Sequence, residues 1–197
     1  MAKLYYYYGV MGSGKSLDLI RTAYNYKERG MNVLVFKPIV DTRGGTKDCV
    51  IKSRTGASCN AEWIKEYDDL LIITNMFVSH MNVDAVIVDE VQFLTCDQII
   101  QLSDIVTKLG IPVLAYGLKN NFKGELFEPI KTLLTYCDEM REIKAICWCG
   151  KKANQNARVV DGNIVKYGKE IQIGGNDKYV ALCNKHFKEG ILKVSRN

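Results

Sequence analysis

Five short stretches in the first two thirds of the chain are apolar almost without interruption: residues 4–8, 32–36, 70–73, 85–88 and 112–115. A strand with one wet face alternates polar and apolar positions. Unbroken runs of this length instead predict parallel strands covered on both faces. The segments between them change period. Residues 17–29 carry Leu17, Ile20 and Tyr24 at helical spacing and run into Gly30, a residue suited to a helix C-terminus. Residues 97–109 carry Ile100, Leu102, Ile105, Val106 and Leu109, and Gly110 and Pro112 close them. Strands alternating with helices predict an α/β domain with a mostly parallel sheet and right-handed crossovers. The pattern changes near Ile143. Beyond it come Gly150, Gly162, Gly168, Gly174 and Gly175, short β-like pieces at 157–160, 163–166 and 179–183, and three of the seven cysteines. The chain is therefore expected to divide into residues 1–142 and a small second unit, 143–197, which needs a staple because so short a segment buries little core.

The first of these strands leads into Gly9-Val10-Met11-Gly12-Ser13-Gly14-Lys15-Ser16, a full match to G-x-x-x-x-G-K-[ST], and a helix follows. Strand, glycine loop and helix together give a phosphate-binding loop its physical sense. Glycines let successive N–H groups turn inward around phosphate oxygens. The helix N-terminus adds unpaired donors and a positive dipole end. Lys15 is expected to neutralise the β- and γ-phosphates of a nucleoside triphosphate, and Ser16 to hold Mg²⁺. The run 85–88 ends in Asp89-Glu90, and in an open parallel sheet ligands lie beyond the carboxyl ends of the strands. Adjacent residues on an extended strand point oppositely, so the two carboxylates are expected to divide the work. One would support the metal through water; the other would take a proton from an attacking nucleophile. Lys37 to Arg43 follows the second strand, and an arginine there would stabilise charge on a transferring phosphoryl group.

Cys147-Trp148-Cys149 and Cys183-Asn184-Lys185-His186 offer three sulfurs and an imidazole, a set suited to a closed, tetrahedral, structural Zn²⁺ site. Cys49, Cys59, Cys96 and Cys137 lack a partner at ligand spacing and read as packing residues, and His80 as incidental. The remaining composition narrows the partners. Of 197 residues 47% are hydrophobic and 25% charged, values that permit a sizeable core. The net charge of +5 suits an anionic small ligand but is too modest to indicate nucleic acid. No run is long enough to span a membrane and the N-terminus lacks a signal-peptide pattern, so a cytoplasmic location is expected.

Taken in order, these parts resemble the type II thymidine kinase family, above all its enterobacterial branch, which shares the shortened C-x-C. The resemblance runs through Gly9–Ser16, Asp41-Thr42-Arg43, Asp89-Glu90-Val91-Gln92-Phe93, Tyr116-Gly117-Leu118, Phe122-Lys123-Gly124-Glu125-Leu126-Phe127, Gly174-Gly175-Asn176-Asp177-Lys178-Tyr179 and the cysteine–histidine set. It implies a RecA-like P-loop domain joined to a small zinc-binding domain that bears a lasso loop. Residues 9–16 and Asp89, Glu90, Val91 and Gln92 would contact ATP, with Ser16 and Asp89 at the Mg²⁺. Glu90 would be the general base, with Lys15 and Arg43 as its catalytic companions. Phe122, the lasso residues Glu170, Ile171, Gln172, Ile173 and Gly174, and Tyr179 would bind thymidine. The lasso would do so largely through backbone groups, which can complement the donors and acceptors of a thymine edge. Zinc on Cys147, Cys149, Cys183 and His186 would anchor both ends of the lasso, so metal loss is expected to disorder the nucleoside site and leave the P-loop alone. A homotetramer is implied as well. Two positions depart from the family pattern, with Asn121 and Lys119 standing where many members carry Asp.

Phosphoryl transfer from ATP to thymidine is thus the leading expectation. A RecA-like, nucleic-acid-dependent ATPase would share the P-loop and the acidic strand end. The chain is short for a motor, however, and its basic residues form no stripe. A nucleotide-gated zinc module is a third possibility, disfavoured by the long gap between ligand pairs.

Overall fold

The structure is a computed structural model that describes residues 1–41, 48–168 and 178–193. Its centre is a six-stranded sheet in the order β5-β2-β6-β7-β1-β8, every neighbouring pair parallel. Those strands are β1 (Leu4–Tyr8), β2 (Val33–Pro38), β5 (Glu62–Ile64), β6 (Ala85–Val88), β7 (Val113–Gly117) and β8 (Glu139–Glu142). Between β2 and β5 lies a hairpin of β3 (Val50–Lys52) and β4 (Ser58–Asn60). One strand, β7, separates the P-loop strand β1 from β6, whose end carries the two carboxylates.

Both faces of the sheet are covered, which is why its strands read as unbroken apolar runs. Leu34, Phe36, Val86, Val88, Val113 and Ala115 point to a face packed by α2 (Leu70–Val78), α3 (Cys96–Leu109) and α4 (Glu128–Tyr136). Their alternates Val35, Ala85, Ile87, Leu114 and Tyr116 point to the other, covered by α1 (Lys15–Glu28) and by Ile51 of the hairpin. Period-two alternation places successive residues in opposite cores.

Three local expectations change. Residues 70–73 form the start of α2, not a strand. Asp69 caps that helix by accepting from the Ile72 N–H at 2.9 Å, and the Leu70 N–H is taken by Gln101 Oε1 at 2.8 Å. Leu70 packs into the core while Ile72 and Met76 face solvent, so the periodicity is helical. In α1 the buried stripe is Leu19, Ile20 and Ala23, and Leu17 and Tyr24 lie exposed. The helix offers two apolar stripes, and the P-loop before it sets which one meets the sheet. In α3 the stripe is Ile99, Leu102 and Ile105, and Ile100 is turned partly outward.

After β8 the chain leaves the large sheet. A two-stranded ladder of β9 (Ala145–Ile146) and β10 (Lys152–Ala153) follows, then a three-stranded antiparallel sheet ordered β12-β11-β13 and the short helix α5 (Asn184–Glu189). The three strands are β11 (Gln155–Val160), β12 (Asn163–Val165) and β13 (Tyr179–Leu182). Its small core gathers Cys147, Ala153, Ala157, Leu182, Cys183 and Phe187 around Val10, a P-loop residue.

Candidate functional site

The loop after β1 has the shape its glycines dictate. Gly12 and Gly14 hold φ of 77° and 94°, in the left-handed region. A Cβ at Gly9 would lie 2.5 Å from the Ile143 carbonyl oxygen and 2.5 Å from Ser13 Oγ, so this position has no room for a side chain. Lys15 is buried and folds back over the loop, its Nζ donating to the carbonyls of Gly9 at 3.2 Å and Val10 at 3.0 Å. Ser13 Oγ is buried with no hydrogen-bond partner among the described residues. A cradle closed to side chains, an ammonium at its centre, a buried hydroxyl to satisfy and the start of a 14-residue helix suit an anionic phosphate chain. The Arg54 guanidinium, from the turn between β3 and β4, stands over the loop, with Nη1 3.2 Å from where a Gly12 Cβ would be.

Asp89 and Glu90 sit at the carboxyl end of β6, only 3% and 5% exposed, so neither is a solvated strand end. They do not alternate as strand residues would. The strand stops at Val88, and Glu90 takes φ 49° and ψ 44°, a left-handed conformation costly for a residue with a Cβ. Asp89 Oδ1 accepts the Glu90 N–H at 3.0 Å, and a 3₁₀ turn over Val91–Phe93 follows. Gln92 then works from both ends of its amide. Nε2 donates to Glu90 Oε2, and Oε1 accepts the Leu118 N–H at 2.9 Å. Gly117 is pressed against this clamp, since a Cβ there would lie 2.5 Å from Gln92 Oε1 and 2.7 Å from Val91 Cγ1. The acidic turn is thereby locked to the segment following β7. That segment is in turn near the P-loop, because Gly9 N–H reaches the Gly117 carbonyl at 3.4 Å.

Beyond β7 the chain makes a tight loop around Asn121. Its Oδ1 accepts the N–H groups of Lys123 at 2.9 Å and Glu125 at 3.1 Å, while its own N–H goes to the Glu125 carbonyl at 2.8 Å. An aspartate would offer the same acceptor oxygen, so the Asn121 departure preserves these two Oδ1 bonds. Lys119 places its ammonium over the Tyr8 ring, 5.5 Å from the centroid. Phe122 is buried, with the Arg158 guanidinium 5.3 Å from its ring centre. Arg158 on β11 pairs with Tyr179 on β13, so one arginine links the two predicted aromatics. Tyr179 is buried, which raises its phenol above the ordinary value.

Of the expected site residues, Arg43, Glu170, Ile171, Gln172, Ile173 and Gly174 lie outside the described residues, as does Thr42. Asp41 is described: it is buried and paired with the buried Lys37 at 3.5 Å, and Lys37 also stands over Trp63, 5.3 Å from the ring centre. The residues that pattern reading passed over are Arg54, Arg158, Asn156 and the clamp role of Gln92. Arg54, Arg158 and Asn156 carry no motif, and Gln92, though inside the Asp89–Phe93 stretch, shows its clamp only once β7 lies beside β6.

Cys147, Cys149, Cys183 and His186 bring their ligand atoms within 4.8 Å of one another. Cys147 Sγ lies 3.4 Å and Cys183 Sγ 3.5 Å from His186 Nδ1, and Cys149 Sγ lies 4.0 Å from Cys183 Sγ. Four ligands tetrahedrally arranged about zinc at ordinary bond lengths stand about 3.5–3.8 Å apart, so the group can hold such an ion. Trp148 stacks on His186, with centroids 4.1 Å apart, and fixes the ring plane. Cys183 is the N-cap residue of α5, and the backbone N–H of His186 holds its thiol below the ordinary range, whereas burial raises the Cys147 thiol. Outside the group, burial pushes Cys49 and Cys59 up to about 11, and Cys137 up as well. They are protonated at neutral pH and behave as packing groups. Among the described residues no helix is long and apolar enough to cross a membrane.

A family model described as thymidine kinase matches residues 2–187. The chain is 46% identical over 192 residues to a thymidine kinase of Pasteurella multocida, covering 97% of this chain and 99% of that protein. It is 47% identical over 190 residues to a thymidine kinase of Haemophilus influenzae, covering 96% and 97%. To a thymidine kinase of Legionella pneumophila it is 45% identical over 199 residues, covering 99% and 93%.

Proposed function

This chain belongs to the thymidine kinase family, and from that premise we propose that it transfers the γ-phosphoryl group of ATP to the 5′-hydroxyl of thymidine, giving dTMP and ADP. The observation that supports the reading most is the buried Glu90 carboxylate, turned by a left-handed backbone and clamped by Gln92 beside the segment that touches the P-loop.

The steps assign each group a role. Residues 9–16 wrap the triphosphate with backbone N–H groups, and the Lys15 ammonium exchanges its two loop carbonyls for phosphate oxygens. Ser16 and Asp89 would hold the Mg²⁺ that accompanies ATP and offsets its charge. Glu90 takes the proton of the nucleoside 5′-hydroxyl as that oxygen attacks the γ-phosphorus, and ADP leaves. Arg43 adds positive charge at the transferring group, and the Arg54 guanidinium beside Gly12 is a further positive group at the loop. Phe122, Glu170, Ile171, Gln172, Ile173, Gly174 and Tyr179 enclose thymidine. Residues 1–142 serve as the nucleotide-binding unit and 143–197 as the unit that closes the nucleoside site. Zinc held by Cys147, Cys149, Cys183 and His186 would be structural, since these four side chains would fill the positions of a tetrahedral ion. The working form is a cytoplasmic homotetramer without a nucleic-acid partner.

The experiment is transfer of label from γ-labelled ATP to a panel of thymidine, deoxyuridine and deoxycytidine, with DNA and RNA added in parallel. Label on thymidine, and a rate indifferent to nucleic acid, is the expected result. Phosphate release that needs DNA or RNA, with no labelled nucleoside, would replace this reading by the motor one.

A further inference from the structure

The metal-holding unit reaches the phosphate loop through a buried side chain that no motif marks. Asn156, on β11, is 2% exposed. Its Oδ1 accepts the Met11 N–H at 2.8 Å, and its Nδ2 donates to the Asn120 carbonyl at 3.1 Å. Met11 is the third residue of the P-loop, and its N–H bond comes from a strand 145 positions away. The Met11 bond is partly buried, and a shielded backbone N–H that loses its acceptor is costly, so the loop's conformation at Met11 depends on that amide. The bridge also needs a donor and an acceptor on one short side chain, which asparagine supplies.

Asn156 is in turn held by the strand that leads to the metal ligands. It pairs with Ala181 on β13, two residues before Cys183. The preceding residue, Gln155, donates to Asn184 Oδ1 at 2.8 Å and accepts from Asn120 Nδ2 at 2.7 Å. Next to Met11, Val10 is packed in the same apolar cluster as Cys147 and Cys183. The expectation that metal loss leaves the P-loop alone took no account of these contacts.

We infer that Asn156 is a positioning residue for the nucleotide, through which the cysteine–histidine unit fixes the shape of the phosphate loop. The inference rests on the nucleotide-binding part of the proposed function, and it gives Asn156 no contact with substrate.

The test is calorimetric titration of MgADP into the full chain, its Asn156→Leu variant and a Val165→Ala variant, with thermal melts of each. Leucine keeps the branching and the number of heavy atoms and removes both hydrogen bonds. Val165 is buried on β12, beside β11, and its truncation loosens the same sheet without a partner on Met11. Asn156→Leu is expected to raise the ADP Kd about tenfold, the scale of one buried hydrogen bond. Val165→Ala is expected to lower the melting point while holding the Kd within about twofold. If Asn156→Leu does not fold, Asn156→Ser is titrated in its place, with the same direction expected. An unchanged Kd in the Asn156 variant, or an equal loss in Val165→Ala, would overturn the inference and leave the kinase reading intact. Failure of the unsubstituted chain to bind MgADP would overturn both.

Discussion

Glu90 shows what a single position contributes beyond its side chain. Its carboxylate follows a strand end that is easily read, but its left-handed backbone has no signature, because glutamate enters that region only when surrounding bonds compel it. Here the compelling bonds are Asp89 Oδ1 to its N–H and Gln92 Nε2 to its carboxylate. Gln92→Leu should therefore lower kcat about tenfold by freeing the proposed base, with a smaller effect on the ATP KM. Steady-state kinetics in both substrates read that split. Asn121 makes the opposite point. As a departure from a family pattern it looks disruptive, yet the structure gives it an acceptor role that either amide or carboxylate oxygen can fill. Asn121→Asp keeps the acceptor of both bonds and should lower the melting point less than Asn121→Ala does. Asn121→Ala, which strands two backbone N–H groups, should cost about 1–3 kcal/mol in chemical denaturation.

Among the elements, those whose residues are buried on both faces were the most legible. In the runs that became β1, β2, β6 and β7, Asn32 is the one amide or charged residue, so little is left to be confused with a turn. Residues 70–73 were misleading for the same reason. Four apolar residues in a row fit a buried strand as well as a helix, and length alone did not separate them. The deciding signals lay outside the run, in Asp69 before it and Gln101 across from it. The α3 start was likewise readable in principle, as Thr95 and Gln98 form a reciprocal capping box. Asp69→Ala and Thr95→Ala should each lower stability by about 0.5–2 kcal/mol. Neither should change the KM for ATP, since both caps lie on helices packed away from the P-loop face. Paired melts and kinetics would check this. In the small unit, strands of two to six residues carry too little pattern to fix register, so the placement of Arg158 and Asn156 was not legible at all.

Over the whole molecule, two chemistries meet across one seam. The large sheet supplies the phosphate loop and the acidic turn, and the small unit supplies the cysteine–histidine group and the strands that reach back to Val10 and Met11. Few apolar residues hold the small unit together, so the ligand group carries much of its order. Removing the metal with a chelator should release about one zinc per chain by elemental analysis. It should weaken nucleotide binding along with nucleoside binding, because the P-loop loses its buried acceptor as the strands loosen. Intact MgADP affinity in a metal-free chain would show the two units to be uncoupled. The contacts that hold this seam join residues far apart in sequence, which is why spacing revealed both halves and not their dependence.

The central claim is that Glu90 accepts the proton of a nucleoside alcohol while the loop at residues 9–16 holds ATP. It is tested most directly by following label from γ-labelled ATP under single-turnover conditions in the natural chain and in Glu90→Gln. The account predicts labelled dTMP from the former, a rate at least ~100-fold lower in the variant, and unchanged nucleotide affinity in both. Equal transfer rates in the two proteins would contradict it.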